Sequence, residues 1–229
     1  MNRITRISLN LALGLFLGMS FGWAQQPQTG FDRWQVSLSG GYGYRPAKLN
    51  ANVPSEFASY ARKLKSGWVL DGSAYYFLNP KLGLGLHANR FASSNSLADV
   101  SVTDVYGNTQ HGTMSDNISI TFIGPGAAFR RTFPNGNVFL VGASLGYIGY
   151  LNRFEINTTR QRIKGATAGY IAHFGYDIRL SDHFAIGAKV AVTTGILGRF
   201  TVDGNEMELE DENKENLSHI DITLGVRFQ

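Results

Sequence analysis

Residues 220–228 alternate apolar with polar or small side chains without a break: Ile220, Ile222, Leu224, Val226 and Phe228 fall on one face, Asp221, Thr223, Gly225 and Arg227 on the other. This is the period of a β-strand, and it excludes a helix, whose 3.6-residue repeat would scatter those side chains around its axis. One face suits oil and the other suits a polar surrounding. A strand of this kind cannot stand alone, so the question becomes how many partners it has.

Eight segments read this way. Segment 34–44 puts Trp34, Val36, Leu38, Gly40, Tyr42 and Tyr44 on one face; segment 67–78 sends Trp68, Leu70, Ala74, Tyr76 and Leu78 outward and Asp71 and Ser73 inward. Segment 82–91 sets Leu82, Leu84, Leu86 and Ala88 opposite Gly83, Gly85, His87 and Asn89. Segment 117–133 is less regular: Ile118, Ile120 and Phe122 alternate with Ser119 and Thr121, and Pro125, which cannot donate to a ladder, predicts a bulge. Segments 138–150, 165–180, 183–194 and 220–228 complete the set. Connections near 79–81, 133–137 and 181–183 are short, and those near 46–66, 92–116, 151–164 and 195–216 are long. Short turns at one end and long loops at the other are the rhythm of an up-and-down transmembrane barrel. The expected fold is all-β: an eight-stranded antiparallel up-and-down transmembrane β-barrel. Val100, Val102, Tyr106-Gly107-Asn108 and Thr113 read as a hairpin prolonging the third and fourth segments, and ten strands is the alternative count.

The start of the chain says where such a barrel would go. Arg3 and Arg6 precede an apolar run over 7–19, and Gly22-Trp23-Ala24 supplies the small residues read by a signal peptidase. About thirteen apolar residues fall short of the roughly 20 needed by a spanning helix. Residues 1–24 are therefore expected to be a signal peptide cleaved near Ala24, and 25–229 the barrel domain. Removing Arg3 and Arg6 takes the net charge from +4 to +2, so no nucleic-acid footprint remains. Cysteine is absent, which excludes disulfides, a lipidated N-terminal cysteine and zinc–thiolate chemistry.

With the eight segments and the terminal Ile-Asp-Ile-Thr-Leu-Gly-Val-Arg-Phe in view, the chain resembles the small outer-membrane β-barrel proteins of Gram-negative bacteria, the OmpX and OmpA-barrel class. The resemblance spans 31–229. It implies residence in the outer membrane, contact with outer-membrane lipid and lipopolysaccharide, and delivery by the barrel-assembly machinery reading Ile220, Ile222, Leu224, Val226 and Phe228. Gln229 follows Phe228, where the family's signal usually ends on the aromatic residue.

In a narrow barrel the lumen is filled by side chains, and charges enclosed there need partners. The inward set is Asp71, His87, His173, Asp177, Arg179, Lys189, Asp221 and Arg227, read as a structural polar network. For Lys189, Asp221 on the neighbouring strand is the first expected partner and Asp177 the second. No catalytic, cofactor or metal residues are assigned, because no histidine pair has a metalloprotease spacing. The seven acids of 203–215 lack the turn glycine of a calcium loop. Arg62, Lys63 and Lys65 beside Trp68 suit interfacial anchoring.

The expected role is a monomeric, non-enzymatic surface or structural protein whose external loops are the binding surface. A narrow channel for ions or small solutes is the alternative. A lipid-modifying enzyme using Ser218-His219, or a histidine near Ser37 or Ser119, is a third reading.

Overall fold

A computed structural model of the chain describes residues 31–47, 57–103, 109–157, 159–209 and 214–229. The segment assigned above as a signal peptide lies outside the described residues. In chain order the elements are β1 (Trp34–Tyr44), α1 (Ala58–Lys63), β2 (Ser66–Phe77), β3 (Leu82–Thr103), β4 (Thr109–Thr132), β5 (Val138–Ile156), β6 (Thr159–Arg179), β7 (Phe184–Leu197), β8 (Arg199–Val202), β9 (Asn205–Glu208), β10 (Glu215–Asn216) and β11 (His219–Phe228). Each of β1 to β6 pairs antiparallel with the next, β7 pairs with β11, and β11 returns to β1, where Val36 faces Phe228 and Tyr44 faces Ile220. Eight strands therefore close a ring, and closure leaves no wall strand with an open edge.

The extra strands are decoration at the external end. β8 and β9, four residues each, form a hairpin that pairs through β8 with the top of β6, and β10 prolongs the pairing of β7. The ten-strand alternative fails because the 92–116 stretch adds length, not strands: β3 and β4 stay paired from Leu82↔Phe129 to Thr103↔Thr109. The expected long loop at 151–164 is likewise mostly ladder, with β5 and β6 paired out to Ile156↔Thr159.

Pro125 does not bulge the sheet. Its partner on β3 is Leu86, in register with the pairs on either side. On the β5 side the ladder lapses at 124 and 125 and resumes at Gly126↔Ser144 in the register held by Ile123↔Tyr147. The missing donor costs hydrogen bonds without adding a residue. The register shift falls higher on β3, between Leu97 and Val100, where Asp99 adopts φ 55°. At the 123–147 crossing Gly124 and Gly146 meet face to face. A Cβ on Gly124 would lie 2.6 Å from the Gly146 Cα, and one on Gly146 would lie 2.7 Å from the Gly124 Cα.

The outer wall is apolar. Trp34, Leu38, Trp68, Leu84, Leu86, Phe174, Ile222 and Leu224 are exposed, and Leu145 reaches 71 %. A soluble protein does not carry such a continuous apolar face, whereas a bilayer solvates it. Aromatic side chains band the turn end, with Trp34 edge-on to Tyr76 at 5.2 Å and Phe184 against Phe228 at 5.4 Å. The lumen-facing positions divide by height. On β4 the apolar Ile118, Ile120 and Phe122 point inward and are buried, while Thr121 and Ile123 point out, so the polarity of the alternation is reversed there. Together with Val69, Phe91, Ile148, Ile171, Leu197 and Leu217 they build an apolar layer filling the external half of the lumen. Each fully buried side chain of this size contributes about 1.5–3 kcal/mol.

Candidate functional site

Below the apolar layer lies a charged one, built by strand alternation at matching heights on β2, β3, β6, β7 and β11. Asp71, 1 % exposed, is its hub. It accepts hydrogen bonds from His87 Nε2 at 2.8 Å and Asn89 Nδ2 at 3.0 Å, and Lys189 Nζ reaches across the lumen to its other oxygen. Asn89 also donates to Asp221 Oδ2 at 3.0 Å, and its own carbonyl oxygen lies 3.2 Å from His219 Nε2. The second histidine, His173, stands edge-on to His87 with ring centroids 4.8 Å apart.

The expected partners of Lys189 are therefore replaced. Asp221 is occupied by Asn89, and Asp177 lies lower, where it accepts from Arg227 Nη1 at 2.7 Å. The physical reason is that a long side chain in a narrow barrel reaches a strand three places round the wall, from β7 past β11 and β1 to β2, as readily as it leans toward its neighbour. Arg179 does not join the lumen network. Its strand ends there, and the guanidinium turns over the rim to Asp182 and the Ser181 carbonyl.

Three lumen residues escaped the sequence reading of the network. Asn89 and His219 share the inward parity of His87 and Asp221; Asn89 carries no charge, and His219 stands one residue before the 220–228 alternation, where the strand already begins. Arg130, inward by the same parity on β4, seals the turn end: its guanidinium stacks 3.7 Å from the Phe77 ring and donates to the carbonyls of Pro80 at 3.1 Å and Asp32 at 2.5 Å.

The external mouth is covered by α1. Tyr60 donates to Asp116 Oδ2 at 2.7 Å, Asn95 donates back to the Tyr60 carbonyl at 3.0 Å, and Asn152 holds the second Asp116 oxygen at 2.5 Å. Burial, with the Asp116 carboxylate beside it, holds the Tyr60 hydroxyl above its ordinary value of 10.0. The raised value means that the docking is fully present at neutral pH and is lost as pH climbs above about 10. Tyr60→Phe removes a hydrogen bond to a charged acceptor, worth about 1.5–3 kcal/mol. Trypsin at pH 8 should then cut after Arg62 or Lys63 roughly ten times faster than in the unsubstituted protein; unchanged cleavage would mean that Tyr60 does not hold the helix down.

The acids of 203–215 are partly engaged. Arg45 binds Glu215 at 2.5 Å, and Arg199 lies 3.6 Å from Glu208; 210–213 lie outside the described residues. Ser218 and His219 are not joined by a hydrogen bond among the described residues, and His219 is sealed in the lumen with Nδ1 against the Leu217 carbonyl at 3.0 Å. Ser37 is hydrogen-bonded to Ser73 at 2.8 Å. Lys65 lies 5.8 Å from the Tyr44 ring centroid, the placement of an interfacial anchor.

The model of the outer membrane protein beta-barrel domain family matches residues 11–229. No curated protein matches the chain closely enough to count as a relative. Among solved structures, a major outer membrane protein from Thermus thermophilus is similar at TM-score 0.50 and 12 % identity, covering 86 % of this chain and 98 % of that one. Neisserial surface protein A is similar at 0.49 and 13 %, covering 85 % and 96 %. OprG from Pseudomonas aeruginosa is similar at 0.47 and 14 %, covering 87 % and 97 %. Identities this low speak to fold alone. The closed eight-strand ring, its oil-facing wall and a family match over nearly the whole sequence lead to one statement: the chain belongs to the outer membrane protein beta-barrel domain family and resides in the outer membrane.

Proposed function

We propose that this protein is a sealed barrel that serves as a rigid outer-membrane base for an external binding surface, without catalysis and without conduction. The filling of the lumen carries the reading. A solute entering from outside meets α1, then the apolar layer of Phe91, Phe122, Ile148 and Ile171, then the Asp71–Lys189 cluster, then Arg227 and Arg130. An ion crossing an apolar layer unhydrated faces a desolvation cost of many kcal/mol. The sites of interaction are then the parts outside the lumen: the external extensions of β3 to β6, the β8–β9 hairpin, and the outer wall. Cleavage near Ala24, delivery through the outward Ile220, Ile222, Leu224, Val226 and Phe228, and a monomeric state belong to the same proposal. Reconstituted into a planar bilayer, the protein is expected to pass no sustained current; a steady, saturable single-channel current would replace this reading with that of a narrow channel.

A further inference from the structure

Arg90 and Lys164 point outward from the wall, and neither has a side-chain hydrogen-bond or ion-pair partner among the described residues. They flank a shallow depression of about 370 Å³ on the outer surface of β3 to β6. Register explains its shape. Arg90 faces Thr121, which faces Gly149, and Ser119 faces Leu151, which faces Lys164, so small and hydroxylated residues floor the space between two cations. Immediately below are Tyr147, Ile123 and Leu145, exposed on the oil-facing wall. Immediately above are Arg153 and Arg162, also without side-chain partners among the described residues, bordering a second groove of about 660 Å³. The acids nearby are engaged: Glu155 with Arg160 at 3.0 Å, and Asp203 with the backbone N–H of Arg162 at 2.9 Å.

Unpaired cations on a lipid-facing wall are unfavourable in the oil and become favourable where an anion meets them at the membrane surface. An Arg–Lys clamp above an apolar slope has the polarity of a phosphorylated amphiphile: acyl chains on Leu145 and Ile123, phosphate on the cations, sugar toward Arg153 and Arg162. We propose that this face of the barrel binds a phosphorylated glycolipid of the outer leaflet, with one phosphate seated between Arg90 and Lys164. The proposal rests on the reading that the outer wall is a binding surface of this protein.

Diphosphorylated lipid A added to the full chain in detergent micelles, with retention read by native mass spectrometry, tests it. The unsubstituted protein should retain lipid A. Arg90→Gln combined with Lys164→Gln should weaken retention at least tenfold. Gly149→Leu should do the same by filling the floor, since a Cβ at Gly149 meets nothing closer than 3.4 Å and the wall has room for it. The two variants reach the site by different routes, so either decides the matter if the other fails to show the heat-dependent gel shift of a folded barrel. Arg62→Gln with Lys65→Gln, on a different part of the rim, should leave retention unchanged. Equal retention by the site variants, retention of phosphatidylglycerol equal to that of lipid A, or full competition by inorganic pyrophosphate would each overturn the glycolipid site. A bilayer current would sink the sealed-barrel reading and leave this one standing, so the two failures are distinguishable.

Discussion

Replacing Asp71 by alanine is expected to lower stability by about 3–5 kcal/mol, measured as a shift of the urea unfolding midpoint in detergent micelles. The substitution removes one carboxylate and strands three groups: the ammonium of Lys189, the Nε2 of His87 and one donor of Asn89. Lys189 has nowhere to go, because its side chain is only 11 % exposed. Against a total stability of about 5–15 kcal/mol, a loss of this size is a large fraction. The paired variant Asp71→Leu with Lys189→Met separates causes. Removing both charges together leaves no uncompensated ion, and such exchanges are often close to neutral. Most of the lost stability should return in the pair. If Asp71→Ala shifts the midpoint by less than about 0.5 kcal/mol, a size typical of ordinary surface changes, water reaches the cluster and the lumen is not dry.

Gly124→Val and Gly146→Val should each prevent the barrel from closing. A Cβ at Gly124 would sit 2.1 Å from the Leu145 carbonyl oxygen, and one at Gly146 would sit 2.2 Å from that of Ile123. The obstructing atoms are backbone, so no rotamer change relieves the clash, and β4 must separate from β5 where the ladder already lapses at Pro125. The expected result is loss of the heat-dependent gel shift after refolding into micelles. Gly149→Ala, three residues along β5, is the control and should fold normally, since its Cβ has ordinary contacts. Folded Gly124→Val protein of unchanged stability would show that the two strands can part there at little cost.

The ring of eight strands was legible because a wall between oil and a polar lumen imposes a period of two on the sequence, and β11 displays it without a fault. The same logic explains where reading failed. On β4 the lumen is itself apolar, so Ile118, Ile120 and Phe122 mark the inside and the contrast that tells inside from outside disappears. Pro125 could be recognised as a lost donor, but whether the chain bulges or simply forgoes a bond depends on the register held by the strands on either side, which the local sequence does not encode. Inward parity was readable for Asp71, Lys189 and Arg227; the pairing of Lys189 with Asp71 was not, because it crosses the lumen between strands that are not neighbours and no local spacing encodes that. Arg179 shares the parity of the lumen residues, yet height on the strand decides whether a side chain is enclosed, and β6 ends with it. The Arg90–Lys164 clamp was invisible for a related reason: its members lie on β3 and β6, brought together through β4 and β5.

The seam between β1 and β11 joins the first and last wall strands of the described barrel, and the ring is closed only when the two pair. Asp71 and Lys189 are 118 positions apart, and Asn89 and Asp221 are 132 apart. Contacts of such separation form late, after most of the loop-closure entropy has been spent. Until then Asp71 on β2 and Lys189 on β7 face water without each other. Enclosure of the charges and completion of the seam are thus one event. An unfinished barrel leaves Asp71 and Lys189 open to water, while a finished one holds them paired behind the completed seam.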